Sequence, residues 1–123
     1  MSLEKRRRAF SRGRFAETVC SLLLRCKGYR ILERSYRVPV GEIDIIARKR
    51  GLVVAVEVKA RRGLAEASEA VTQRQRRRIE RALMHFLKRR PDLGQACLRF
   101  DAMLVVPGQW PRHVKDAWRS GGF

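Results

Sequence analysis

Three residues with the chemistry of a phosphate-cleaving site lie within two short apolar segments of the chain. Asp44 belongs to Ile43–Arg48, and both Glu57 and Lys59 belong to Val53–Ala60. Carboxylates hold Mg²⁺ in proteins together with waters and substrate phosphate oxygens, and a nearby lysine can stabilise charge that develops on a phosphate. The alternative is a structural cluster in which Lys59 is the counter-ion of both carboxylates.

The spacing of the two segments predicts how these side chains meet. Both segments alternate in the manner of β-strands, and they are separated by a stretch short enough for a hairpin. A two-residue turn at Arg50-Gly51 fixes the pairing, and counting back from it places Asp44 directly opposite Glu57. Cross-strand partners point the same way, so we expect Asp44 and Glu57 on one face with Lys59 beside them. A slip of one residue would reverse this arrangement.

The charge of the chain indicates a polyanionic partner. Lysine and arginine number 29 against 12 acidic residues, which gives a formal net charge of +17. Nucleic acid neutralises such an excess, whereas a membrane-binding helix needs a large apolar face, and Lys5–Arg8 has only Ala9 and Phe10 as apolar neighbours. A solvated, solubilising surface is the plainer alternative. The basic composition favours nucleic acid, and with it the metal interpretation of the two carboxylates.

The cysteines and the apolar runs indicate the cellular compartment in which the protein is expected. The cysteines, Cys20, Cys26 and Cys97, form no C-x-x-C pair, and we interpret them as small core residues in a reducing compartment. The apolar runs are too short to span a bilayer, and the N-terminus has no apolar signal-peptide region. We therefore expect a cytoplasmic protein without membrane association.

Hydrophobic periodicity predicts the elements that position the three residues. Residues 1–12 are predicted to form a basic flexible segment, and residues 13–123 a single domain. The predicted elements are a helix from Gly13 to Gly28, strands at Tyr29–Val38, Ile43–Arg48 and Val53–Ala60, a helix from Val71 to Leu87, and a strand at Leu98–Val106. The order αβββαβ predicts an α/β domain with a mixed central sheet flanked by helices.

Several ordered motifs carry a family resemblance. "GEIDII" followed by "VAVEVKAR" resembles the D…E-x-K signature of PD-(D/E)XK nucleases, with Asp44, Glu57 and Lys59 at its three positions. From about Gly13 to Val106 the chain resembles the YraN-type family of small bacterial proteins, which shares G-x-x-A-E, G-Y-x-I-L, G-E-I-D-x-I, V-E-V-K-x-R and R-F-D in this order. Ser35 stands where the family usually has asparagine, a departure that touches no proposed catalytic position.

The resemblance implies a restriction-endonuclease-like fold and a metal-dependent endonuclease acting on DNA, including branched or damaged DNA. Glu17 matches an extra acidic residue of archaeal Holliday-junction resolvases, and Gln75 matches the Q-x-x-x-L or Q-x-x-x-Y element of related nucleases. The implied ligands of Mg²⁺ or Mn²⁺ are Glu17, Asp44, Glu57 and the carbonyl of Val58. Lys59 would orient the attacking water or stabilise the transition state, and Gln75, which falls on an apolar helical stripe, is expected to be partly buried. Because junction resolvases dimerise, the analogy also implies a homodimer.

The remaining candidates concern binding. The expected nucleic-acid contacts are Arg12, Arg14, Arg61, Arg62, Arg74, Arg76, Arg77 and Arg78. We expect Asp101 to pair with an arginine, and Trp110 and Trp118 to pack against the core rather than stack on bases. Two other functions stay open: a catalytically silent nucleic-acid-binding protein, and an adaptor for protein or ribonucleoprotein partners.

Overall fold

The computed structural model describes residues 3–63 and 71–119, with side chains from Gly13 onward. Its helices are α1 (Leu3–Cys26) and α2 (Gln73–Lys88), and its strands are β1 (Arg30–Val38), β2 (Gly41–Lys49), β3 (Leu52–Ala60), β4 (Cys97–Val105) and β5 (Arg112–Trp118), with a short 3₁₀ turn at Pro91–Leu93. The strands form one sheet in the order β1-β2-β3-β4-β5. Only β3 and β4 pair in parallel, with α2 between them in the chain.

The two helices cover opposite faces of the sheet, so its central strands are buried on both sides. On the α1 face, Cys20 and Leu24 pack with side chains such as Val54. On the α2 face, Leu83 and Phe86 pack with others such as Val53. This double coverage explains why β3 begins as a continuous apolar run instead of alternating with polar residues. The predicted α/β domain with a mixed sheet is confirmed.

Gly41 allows α2 to approach the strand that carries Asp44. A Cβ atom at this position would collide with the backbone carbonyl of Arg78 in α2. The glycine of the G-E-I-D motif therefore has a packing reason, because any side chain there would push the helix away from the start of β2.

The structure corrects two predicted boundaries. Helix α1 begins at Leu3 rather than at Gly13, so the basic run near the N-terminus continues the helix. The segment after β4, for which the sequence pattern predicts no helix or strand, forms the fifth strand β5 and extends the predicted order αβββαβ. Hydrophobic periodicity does not predict β5, because a backbone irregularity at Asp116, where φ is 53°, interrupts the alternation of the strand.

Burial confirms some side-chain predictions and overturns others. Trp118 is buried and stacks on Phe100, with ring centroids 5.4 Å apart, but Trp110 is 86% exposed and the prediction that it packs on the core is wrong. Cys20 is a core residue as expected, whereas Cys26 and Cys97 are exposed at the ends of their elements. No helix within the described ranges is long and apolar enough to cross a bilayer.

A buried ionic cluster ties β4 to β5. The fully buried Asp101 carboxylate accepts two hydrogen bonds from the Arg99 guanidinium, both at 2.8 Å, which confirms the predicted arginine pair. It also lies 2.7 Å from His113 Nε2 and accepts from the backbone N–H of Asp116 at 3.0 Å. These partners lower the pKa of Asp101 although burial alone would raise it, so the carboxylate stays ionised inside the fold.

Candidate active site

The hairpin that carries the candidate residues has the predicted register. Lys49 pairs with Leu52, and the ladder continues to Ile45 opposite Val56, so the predicted register is confirmed. The backbone pairs end there, one position before Asp44 and Glu57. The two carboxylates therefore lie at the end of the paired region, where β2 and β3 stop exchanging backbone hydrogen bonds.

The side chain of Asp44 makes the next hydrogen bond to β3 beyond the end of the backbone ladder. Its Oδ2 atom accepts a hydrogen bond from the backbone N–H of Val58 at 2.8 Å. The alternation of β2 shifts at this point, because Ile43 and Ile46 both pack on the α2 face while Ile45 packs on the α1 face. The Asp44 carboxylate is thereby held against β3 beside the E-x-K segment.

A cavity opens on the α1 face at this point. It has a volume of about 530 Å³ and is lined by Arg14, Glu17, Ser35, Arg37, Asp44 and Val58, among others. Glu57 and Lys59 do not line it; by the alternation of β3 they continue the row of Val53 and Ala55 on the α2 face. The structure thus brings Glu17 and Asp44 together in the cavity, whereas Glu57 and Lys59 leave β3 on its other side, so the prediction that Asp44 and Glu57 share one face with Lys59 is wrong. The two carboxyl groups still lie close enough at the end of the hairpin for the charge of Asp44 to raise the pKa of Glu57.

Burial and nearby negative charges raise the pKa of both central carboxyl groups. Burial, aided by the charges of Glu17 and Glu42, raises the pKa of Asp44 to about 6, although the Val58 N–H opposes the shift. Burial, with the charges of Asp44 and Glu42, raises the pKa of Glu57 to about 8 against the opposing charges of Lys59 and Arg61. The nearby positive charges therefore do not keep both carboxyl groups ionised at neutral pH. A bound proton or a bound cation has to balance the remaining negative charge.

Glu17 reaches the cavity with partners of its own. Its Oε1 atom accepts a hydrogen bond from the Ser35 hydroxyl at 2.9 Å and lies 3.5 Å from Arg34 Nε. Ser35 has a φ of 50°, a left-handed conformation that asparagine adopts more readily than most residues. Ser35 is not a proposed catalytic position, but its hydroxyl holds the metal-ligand candidate Glu17 in place.

Gln75 caps the start of α2 at the protein surface, whereas the sequence pattern predicts that it is partly buried. The side chain is exposed, and its Oε1 atom accepts from the backbone N–H of Thr72 at 3.0 Å while the Thr72 hydroxyl accepts from the Gln75 N–H at 3.2 Å. This reciprocal pair is a capping box that starts α2. The predicted burial of Gln75 is wrong, and the sequence signal for the cap is the T-x-x-Q spacing itself.

The candidate arginines do not form one surface. Arg14 lines the cavity, and Arg61 and Arg62 are exposed directly after β3. On α2, Arg74 and Arg77 are exposed and Arg78 is half-buried, while Arg76 donates to the Val71 carbonyl and lies over the Trp118 ring. The side chain of Arg12 lies outside the described residues.

The donor set is compatible with Mg²⁺. Asp44 and Glu57 offer hard oxygen ligands, and burial raises the pKa of both carboxyl groups. Two carboxylates are enough, because Mg²⁺ completes its shell with waters and substrate phosphate oxygens. No group of three or more acidic, histidine or cysteine side chains suited to a metal occurs in the described part of the chain. Metal binding by Glu17 stays a prediction, and its hydrogen bond with Ser35 is compatible with it, because carboxylates that bind metals are themselves hydrogen-bonded.

The raised pKa values predict a pH-dependent stability in metal-free protein. Both carboxyl groups keep protons in the folded state that the unfolded chain releases above about pH 4, so raising the pH favours unfolding until the folded pKa values of about 6 and about 8 are passed. We expect about 5 kcal/mol of stability to be lost between pH 5 and pH 8, most of it through Glu57. Urea unfolding in EDTA at several pH values measures this loss.

Glu57→Gln should remove most of this loss of stability with rising pH. The control Glu33→Gln, at an exposed carboxylate of β1, should retain it. A wild-type stability that stays level or rises over this range would show that the two carboxyl groups are not perturbed in this way.

The fold and the site define a small α/β domain with paired carboxylates at the open end of a central hairpin. A family model described as "Uncharacterised protein family UPF0102" matches residues 16–105, and the chain belongs to this family. A UPF0102 protein of Parvibaculum lavamentivorans is 50% identical over 111 residues, covering 90% of this chain and 84% of its own length. One of Mesorhizobium japonicum is 49% identical over 113 residues (92% and 90%), and one of a Bradyrhizobium species is 53% identical over 110 residues (89% and 78%). The matches support the YraN-type family predicted from the ordered motifs, and the matched range includes Glu17, Asp44, Glu57 and Lys59.

Proposed function

We propose that the protein is a metal-dependent endonuclease that acts on DNA, including branched or damaged DNA, in the cytoplasm. The observation that carries the proposal is the pair of desolvated carboxylates, Asp44 and Glu57, at the end of the hairpin of a chain with a net charge of +17. Structural carboxylates in such a basic protein would find arginine partners, as Asp101 does. Asp44 instead accepts from a backbone N–H and opens onto a cavity.

Each residue of the site has a defined part in this proposal. Asp44 would hold Mg²⁺ or Mn²⁺ at the cavity with the Val58 carbonyl as a further oxygen ligand, and Glu57 would complete the set by turning toward Asp44 around the end of the hairpin. The bound metal supplies positive charge that polarises the scissile phosphate and makes water a better nucleophile. Lys59, which is 5% exposed, keeps its ammonium group close to Glu57 and adds positive charge for the developing phosphorane. The Glu17–Ser35 hydrogen bond shapes the opposite wall of the cavity.

The test is incubation of the protein with linear, nicked, branched and single-stranded DNA, and matching RNA, in Mg²⁺, Mn²⁺ or EDTA. We expect salt-sensitive binding with little sequence preference, and cleavage of DNA only with a metal. If about six phosphates of a duplex are contacted, the plot of log K against log salt should have a slope of about −5. Binding without cleavage of any substrate would identify a silent nucleic-acid-binding protein, and a salt-independent affinity would remove nucleic acid as the partner.

A further inference from the structure

A second cavity lies between α1 and β1, beside the candidate active site. Its volume is about 530 Å³, and it shares no described lining residue with the first cavity. The residues that matter for its chemistry are Thr18, Ser21, Arg25, Arg30 and Arg34. No carboxylate of the described chain lines it, so all the charge on its walls is positive, and Leu22, Tyr29 and Ile31 supply the apolar part of the lining.

Two of the three arginines are available to a ligand. Arg25 and Arg30 are exposed, and neither forms an ion pair within the described residues. Arg34 is partly engaged, because its guanidinium donates to the Thr18 hydroxyl at 2.9 Å and lies 3.5 Å from Glu17. Guanidinium groups offer planar sets of donors that match phosphate oxygens. The cavity therefore suits an anion that is rich in acceptor oxygens.

An unpartnered hydroxyl in the wall supports the same conclusion. Ser21 lines the cavity and is 5% exposed, and its Oγ atom has no hydrogen-bond partner among the described residues. A buried polar atom without a partner is unfavourable. A ligand oxygen that enters the cavity could accept from this hydroxyl and from the arginines together.

The two cavities adjoin through one ion pair. Arg34 lines the second cavity, and its partner Glu17 lines the first cavity together with Asp44. A polymer of phosphates that follows the groove between α1 and β1 would thus pass from the arginines of the second cavity directly to the carboxylates of the first.

We propose that the second cavity binds phosphodiester groups of the substrate strand that flank the phosphate to be cut. This inference rests on the proposed nuclease function and deepens it, because it assigns the strand a path along α1 and β1. The arginine face of α2, which the sequence favours for phosphate contacts, is then not the principal binding surface.

Two double variants with the same change in charge test the path. Arg25→Gln with Arg30→Gln removes two cations from the cavity, and Lys88→Gln with Arg89→Gln removes two exposed cations from the end of α2. Fluorescence anisotropy with a labelled DNA strand, over a range of salt concentrations, gives affinity and salt slope for each. Thermal melting verifies that both variants fold.

We expect the cavity variant to bind about tenfold more weakly, with a salt slope smaller in magnitude by about 1.4–1.8 because two phosphate contacts are lost. The α2 variant should bind within about twofold of wild type, since its lost charges act only through the general field. Equal losses in the two variants would overturn the path while leaving nucleic-acid binding intact. Failure of the wild type to bind any DNA or RNA would overturn both the path and the proposed function. Competition by inorganic phosphate as strong as that by the DNA strand would identify a small-anion site and also overturn the path.

Discussion

Asp44→Asn is expected to lower metal-dependent cleavage by at least about 100-fold while leaving DNA affinity within about twofold of wild type. The amide oxygen can still accept from the Val58 N–H, as the carboxylate does at 2.8 Å, so the hairpin end keeps its geometry. The negative charge that attracts the metal is lost. Affinity should survive because phosphate contacts by dispersed arginines and lysines supply most of the binding free energy.

Nicking assays on branched DNA, anisotropy binding and melting with and without Mg²⁺ measure these effects separately. In EDTA at pH 8 the variant should melt above wild type, because removing Asp44 also removes its repulsion of Glu57. Glu42→Gln, at an exposed carboxylate of the same strand, serves as the matched control and should cleave normally. An Asp44→Asn protein that cleaves as fast as wild type would place the activity elsewhere in the molecule.

Asp101→Ala is expected to lower the free energy of unfolding by about 3–5 kcal/mol, because it leaves buried donors without an acceptor. The carboxylate accepts from Arg99, lies within hydrogen-bond distance of His113 and accepts from the backbone of Asp116. Its removal would loosen β5 from β4 and expose Trp118 at the end of β5. Urea unfolding at pH 7, followed by Trp118 fluorescence in a Trp110→Phe background, reports the change.

Asp92→Ala is the control for that experiment. Asp92 forms a similar bidentate pair with Arg90, at 2.9 and 3.0 Å, but at an exposed position. Its loss should change stability far less, because exposed ion pairs are solvated and screened. If Asp101→Ala unfolds within about 1 kcal/mol of wild type, the buried cluster does not stabilise the fold as described.

Local signals in the sequence predicted the hairpin and the register of Asp44 and Glu57. The alternation of β2 and β3 and the turn at Arg50-Gly51 are short-range features, and the pairing of Lys49 with Leu52 follows from them. The T-x-x-Q cap of α2 was equally local, but the helical stripe and the resemblance suggested a buried catalytic role for Gln75.

Other features depend on packing between distant segments, which no local pattern contains. The Ser35–Glu17 hydrogen bond joins β1 to α1, and the shift of alternation at Asp44 reflects how β2 lies between two helices. The cavity between α1 and β1 exists only because those elements pack with arginines at its mouth. Periodicity assigns residues to faces, but it does not determine where two faces leave a space.

The outer strands of the sheet are built to resist further pairing. Strand β1 carries charged side chains and an irregularity between Ile31 and Glu33, and β5 contains the left-handed residue Asp116. Charges and bulges on edge strands hinder strand addition by another chain and so protect a newly made protein against aggregation. The homodimer that the resemblance to junction resolvases implies would then form through contacts between helices or loops. It would not form by continuing one sheet across both copies.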